Sequence, residues 1–266
     1  MARPIAEILA SFESIAPLGL AEDWDNVGLL LAPREDAEIE RILLTIDLTE
    51  PVLAEALAQG IELVLAYHPP IFHGVRRLTR GTAGERIVID SLCAGLFIYS
   101  PHTALDAAAG GINEWLGGLL GPGVGRPIVA HPTGDGLGAG RLVDLDSPVL
   151  LADAVARIKA GLGLAQVRVA ASNRHRSGDP IRSFAVCAGA GGSVFERLPQ
   201  ADLLLTGEMR HHDILARVAD GATVVVTDHT NTERGYLPRL AERIAQRLPG
   251  LDVRISQIDS DPLAVI

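Results

Sequence analysis

Cysteine is nearly absent: Cys93 and Cys187 are the only two in 266 residues. That excludes a disulfide framework and a thiolate metal cluster. Apolar residues make up 48% of the chain, yet no run reaches the roughly 18–20 residues needed to span a bilayer. Met1-Ala2-Arg3-Pro4-Ile5 lacks the apolar stretch and small-residue cleavage site of a secretory signal. A soluble cytoplasmic protein is therefore expected, with no membrane partner. Lysine is also scarce, with Lys159 alone against 22 arginines, which reads as coding bias rather than function. The basic residues are scattered and the formal net charge is -10. Non-specific nucleic-acid binding needs a positive surface to displace counterions, so nucleic acid is not an expected partner. The same charge would slow an anionic substrate unless metal ions reversed the local field.

What is present is ample core material for one large domain or two lobes. Pro4 to Ile15 has helical periodicity with an early proline. Asp25 and Asn26 follow, as a cap or turn, or less simply as part of a site. Arg41 to Asp47 reads as a strand, Pro51 to Ala58 as a helix, and Ile61 to Tyr67 as a second strand halted by Pro69-Pro70. The first proline forces His68 into an extended conformation, so this imidazole has lost entropy in advance. Glu85 to Ala94 is expected to be helical, Leu96 to Ser100 a strand ending at Pro101-His102, and Gly111 to Leu120 a helix.

A Gly/Pro-rich zone from Gly117 to Gly140 then suggests a connection between lobes spanning 1–125 and 126–266. Beyond it, strands are expected at Arg141–Leu145, Val167–Ala171, Ile181–Ala188 and Asp252–Gln257, and Ala201–Asp213 reads as a strand with a polar end. Helices are expected at Val149–Leu162 and Ile214–Val218. Gly189-Ala190-Gly191-Gly192 is not a dinucleotide fingerprint, because Val194 replaces its third glycine; a tight turn or a backbone anion cradle fits it. Strands alternating with helices at this spacing mean an α/β fold with a largely parallel sheet.

The most informative stretch is Thr227 to Leu237. It follows the β-branched run Ala222-Thr223-Val224-Val225-Val226 and precedes the helical pattern Leu237–Leu248. His229 thus falls just past a strand's carboxyl end, where open α/β sheets bind ligands, with Glu233 in the first turn of the next helix. An imidazole and a carboxylate so placed can share a metal ion. They can equally be a loop histidine and the Glu of a capping box, Thr230-x-x-Glu233. The other histidines weigh on that choice. Six of the eight lie in four strand-end segments: His68 with His73, His102, His211 with His212, and His229. Asp106, Glu208 and Glu233 lie beside them. Random placement would not gather imidazoles and carboxylates at successive strand ends, so a metal site becomes the favoured reading. Imidazole and oxygen ligands without cysteine suit Zn, Mn or Fe.

Four ordered motifs carry a family resemblance: Tyr67-His68-Pro69-Pro70-Ile71-Phe72, Ser100-Pro101-His102-Thr103-Ala104-Leu105-Asp106, Thr206-Gly207-Glu208-Met209-Arg210-His211-His212-Asp213, and His229-x-x-x-Glu233-Arg234. With Trp24-Asp25-Asn26-x-Gly28-Leu29, they resemble the Nif-three-like dinuclear metal-centre family, whose bacterial members are often described as GTP cyclohydrolase I type 2 homologues. The resemblance implies two similar α/β lobes with a metal pair in the cleft, and a toroidal homohexamer. It implies His68, Asp106, His229 and Glu233 as ligands of two divalent ions, with a carboxylate bridging. Many members have two histidines where this chain has Tyr67-His68, a variant similar to the eukaryotic branch, so the second metal position is expected to be the weaker. The short Gly-rich connection implies no central insert.

On that basis the expected function is metal-dependent hydrolysis of a nucleotide-like or phosphorylated small molecule. Glu208, His211 and His212 are the candidates for proton transfer or substrate holding; the histidine pair reads equally as an ordinary helix-terminal turn. The alternatives are a non-catalytic ring that stores or delivers metal, and a protein-interaction scaffold.

Overall fold

The apolar runs of the first half assemble into a five-stranded sheet in the order Asp252–Ile255, Arg41–Thr45, Leu63–Ala66, Phe97–Ser100, Gly28–Leu31. Neighbours are parallel except for Gly28–Leu31, which runs antiparallel to Phe97–Ser100 at the edge. One face of this sheet, with Leu43, Val64, Ala66 and Ile98, packs on Val52, Leu53 and Ala56 of the helix Glu50–Ala58 and on Ile87 of the helix Ala83–Ala94. Thr49 starts the first of these helices by accepting the Val52 N–H. Gly95, at φ +73, ends the second, a left-handed conformation that glycine adopts without penalty. The helix Ile5–Ile15 buries Ile5, Ile8, Phe12 and Ile15, the three-and-four spacing of one helical face. Phe12 meets Tyr99 of the sheet with ring centroids 4.8 Å apart.

The second sheet has six strands: Arg168–Ala170, Thr223–Val226, Leu203–Glu208, Ile181–Ala190, Arg141–Val149 and Gly123–Arg126. The central three are parallel and the outer pairings are antiparallel. Alternate residues Ala185, Cys187, Leu204, Val224 and Val226 form its apolar face against Phe195, Leu198 and Ala201. The expected α/β class with mixed, largely parallel sheets is thus what forms.

The chain is a computed structural model describing residues 1–134 and 136–264. It divides into one unit of Met1–Leu105 with Leu237–Pro262, and another of Asp106–Tyr236 with Leu263 and Ala264. A division at residue 125 would cut the strand Gly123–Arg126, which pairs with Arg141–Val149. It would also part Asp252–Ile255 from its neighbour Arg41–Thr45. Among the described residues no helix is long and apolar enough to cross a membrane.

Two elements differ from the sequence expectation at the positions that matter most. After Thr223–Val226 the chain makes two short 3-10 turns, Thr230–Thr232 and Arg234–Tyr236, and the helix begins only at Leu237. Glu233 therefore lies between turns, not in a first helical turn. The helix expected at Ile214–Val218 begins earlier and covers His211–Ala219, so His211 and His212 are helical.

Candidate metal centre

In the first unit three parallel strands end in register. Two residues past the ends of Arg41–Thr45, Leu63–Ala66 and Phe97–Ser100 stand Asp47, His68 and His102. The backbone ladder holds this spacing: Tyr67 N–H donates to the Thr45 carbonyl at 2.9 Å and His68 N–H to the Ile46 carbonyl at 3.0 Å. His68 Nδ1 lies 2.9 Å from Asp47 Oδ1, and His102 Nδ1 lies 2.7 Å from Asp25 Oδ1. A carboxylate can only accept, so each Nδ1 carries a proton, and Nε2 is the ring atom that would ligate a metal from the neutral imidazole. This carboxylate–imidazole pairing fixes ring orientation and raises basicity in metal-ligating histidines. The two rings stand 5.4 Å apart, edge to face.

Asp25 anchors this arrangement. Its side chain is fully buried, and Oδ2 accepts from both the backbone N–H and the hydroxyl of Thr103. Burial pushes its carboxyl up, but hydrogen bonds from His102 and Thr103 outweigh that and hold it below the ordinary range. Tyr67 is buried at 2% exposure, its ring 5.0 Å from His68 and 5.4 Å from His102. His73 is exposed and meets Phe72 edge to face.

In the second unit the strand ends of Ile181–Ala190, Leu203–Glu208 and Thr223–Val226 build the surroundings of His229. His229 Nε2 is 3.5 Å from Glu233 Oε1, and Nδ1 is 3.6 Å from Glu208 Oε1. Glu233 is 1% exposed, whereas Glu208 is exposed. The N-cap half of the capping box is replaced: the Glu233 N–H donates to the Thr230 carbonyl, and the Thr230 hydroxyl accepts from Arg234 Nε. Thr232 ties the turn to the sheet, accepting from the Gly189 N–H at 2.8 Å and donating to the His229 carbonyl at 2.7 Å.

Glycine makes the close approach possible. A Cβ on Gly189, at φ +58, would lie 2.8 Å from His229 Nε2 and 3.0 Å from Glu233 Oε1. One on Gly207 would lie 2.7 Å from both the Gly189 carbonyl oxygen and His229 Cα.

His68, His229 and Glu233 each offer an atom able to hold a metal ion. Asp106 follows His102 by one turn of the helix His102–Ala107, and its carbonyl accepts from Asn113 Nδ2. His211 and His212 are exposed on the first turn of their helix, with rings 5.5 Å apart. Sequence reasoning placed His102 in the constellation but not among the ligands. It missed Asp47 and read Asp25 mainly as a cap or turn. The available signal was positional, since Asp47 stands two residues beyond its strand just as His68 and His102 do.

The chain is similar to known proteins over nearly its whole length. The "NIF3-like protein 1" of Drosophila melanogaster is 38% identical over 264 residues, covering 98% of this chain and 89% of that protein. The "Protein NIF3 homolog" of Schizosaccharomyces pombe is 39% identical over 267 residues, covering 96% and 95%. Among solved structures, Staphylococcus aureus protein SA1388 superposes with a TM-score of 0.83 at 25% identity, covering 98% of this chain and 99% of that one. Reduced HcgD from Methanocaldococcus jannaschii gives 0.84 at 23% identity, covering 97% and 99%, a likeness of fold. A family model described as Duf34/NIF3 (NGG1p interacting factor 3) matches residues 4–262, and the chain belongs to that family.

Proposed function

We propose that this chain binds divalent metal through His68, Asp106, His229 and Glu233, with His102 as a further ligand, in a dinuclear centre that serves hydrolysis of a nucleotide-like or phosphorylated small molecule. The observation that carries the metal reading is the pair of buttressed imidazoles, His68 on Asp47 and His102 on Asp25. With Nδ1 of each held by a carboxylate, Nε2 is the ring atom that would ligate the ion. The donor set fits the ions expected: borderline imidazole nitrogens with hard carboxylate oxygens and no thiolate suit Zn, Fe or Mn.

When bound, such ions supply Lewis acidity toward water and toward a substrate oxygen. The chain's own residues supply the rest. Asp47 and Asp25 hold the two imidazoles in place. Glu208, exposed beside His229, takes a proton from water, and His211 and His212 hold or return one toward the leaving group. Tyr67 fills the place of a second histidine with a poorer ligand, so one metal position is the weaker. A toroidal homohexamer belongs to the same reading, with light scattering as its check.

A second reading has its own support. The Saccharomyces cerevisiae relative, 36% identical over 261 residues, is named "NGG1-interacting factor 3", which favours a partner-binding role with or without turnover. Elemental analysis of the purified protein tests the metal reading: one to two ions per chain are expected, and none would overturn it. Turnover of phosphorylated substrates that vanishes with chelator separates the hydrolase from the scaffold.

A further inference from the structure

Beside His102 the first unit carries an aromatic and cationic surface that no step above uses. Trp24 is 61% exposed and Phe72 39% exposed. Their ring centroids lie 6.1 Å apart, and His102 meets each edge-on at 6.1 and 6.5 Å. The two rings together offer a small exposed aromatic patch next to His102. Asn26 fixes the base of the Phe72 loop, its Nδ2 donating to the Ile71 carbonyl at 2.5 Å. Phe72 also lines a cavity of about 540 Å³ together with Val75, Arg76, Arg77 and Glu85, whose carboxylate is engaged by Thr79 and the Gly81 N–H. Arg76 and Arg77 are exposed, and among the described residues neither has a carboxylate partner, although the chain's net charge is -10. The neighbouring Arg80 and Arg86 are paired, with Asp90 and Glu50. Two adjacent guanidiniums beside an aromatic face match the chemistry of a ligand that is flat and aromatic at one end and anionic at the other.

We propose that Trp24 stacks the base of a mononucleotide, with the tilted Phe72 ring at its edge, while Arg76 and Arg77 bind its phosphate. Stacking on an aromatic side chain is tolerant of base identity, and guanidinium forks match phosphate oxygens in pairs. A polyanionic strand is disfavoured because the chain's overall charge repels it. The assignment rests on the reading of the site as one for a phosphorylated small molecule, and it specifies which residues of the chain select that ligand.

Calorimetric titration of the full chain with AMP, adenosine and inorganic phosphate, in EDTA and again with added Zn, tests it. The wild type should bind AMP more tightly than either fragment, in EDTA as well as with metal. Trp24→Leu should weaken AMP and adenosine roughly tenfold and leave phosphate unchanged, since the stacked base loses its aromatic platform. Arg76→Gln with Arg77→Gln should weaken AMP and phosphate while leaving adenosine unchanged. The Arg variant lies wholly on an exposed loop, so it remains informative even if Trp24→Leu disturbs folding. AMP binding that is absent, unaltered in the Arg variant, or weaker than binding of an oligonucleotide would overturn the proposal. Metal content measured on the same samples separates the two readings, because loss of metal with AMP binding intact sinks only the metal assignment.

Discussion

Two glycines and two aspartates decide what the candidate ligands can do. Asp47→Asn should lower metal affinity by roughly 10–100-fold, because a buttressing carboxylate sets both the basicity and the orientation of its imidazole. Competition with a chromophoric chelator measures this, and an affinity equal to wild type would remove the buttress argument. Gly207→Ala should cost about 1–3 kcal/mol, since its Cβ would meet backbone atoms on two segments, which cannot rotate away. Gly192, where a Cβ meets nothing within 4 Å, is the matched control. Thermal unfolding of the two alanine variants gives the difference. His68 and His229 were legible from the sequence because each follows an unmistakable apolar run. Asp25 was not: its partners His102 and Thr103 lie 77 and 78 residues away, a distance that no local pattern carries.

Among elements, central strands were easy to read and junctions were not. Thr223–Val226 and Leu63–Ala66 are apolar runs buried on both faces, where only a strand fits. The turn after Thr223–Val226 was misread because Thr230-x-x-Glu233 matches a helix start. Asp228, at φ +68, and the ties through Thr232 instead divert the chain into 3-10 turns. The edge strand Arg168–Ala170 is secured differently, through the short helix Asn173–Arg176 that follows it. There His175 is buried, with Nδ1 2.8 Å from the Thr223 hydroxyl and 3.1 Å from that of Ser172, while Nε2 is buried with no acceptor. Burial first, then Arg174, depress its pKa below 6.5, with Asp202 and Asp179 opposing. The unfolded chain therefore takes up this proton more readily than the folded one. Stability from neutral His175 is complete above pH 6.5 and is lost as the pH falls through the depressed folded value. Denaturant melts between pH 8 and 5 should show this loss, and His175→Gln should flatten it; an unchanged pH slope in the variant would contradict the assignment.

At the scale of the whole molecule, the sequence punctuation pointed to two consecutive lobes, whereas the strand pairing gives the first unit two separate stretches of chain. The Gly/Pro-rich zone looked like a linker because glycine there is dense. In the fold it supplies Gly123–Arg126 to the second sheet, where a Cβ on Gly123 would lie 2.4 Å from the Asp144 carbonyl oxygen. Gly123 and Gly138 there serve close strand approach. Truncation after Tyr236 should therefore cripple the first unit, removing the strand beside Arg41–Thr45 and the helix Leu237–Arg247 that buries Leu237, Leu240 and Ile244. Limited proteolysis of the truncated chain should then degrade residues 1–105 rapidly; resistance equal to that of the intact chain would show that the returning segment is dispensable.

The same chain path bears on synthesis. Residues 1–105 leave the ribosome well before residues 237–262, and at roughly 5–20 residues per second the interval is on the order of ten seconds. Through that interval Ile42, Leu43 and Leu44 lie on an open strand edge, waiting for the final partner that closes it. An apolar edge of that kind recruits other strands. The nascent chain is thus most exposed to misassociation late in translation, and holding Arg41–Thr45 out of solution until Asp252–Ile255 arrives is the task this fold sets for a chaperone.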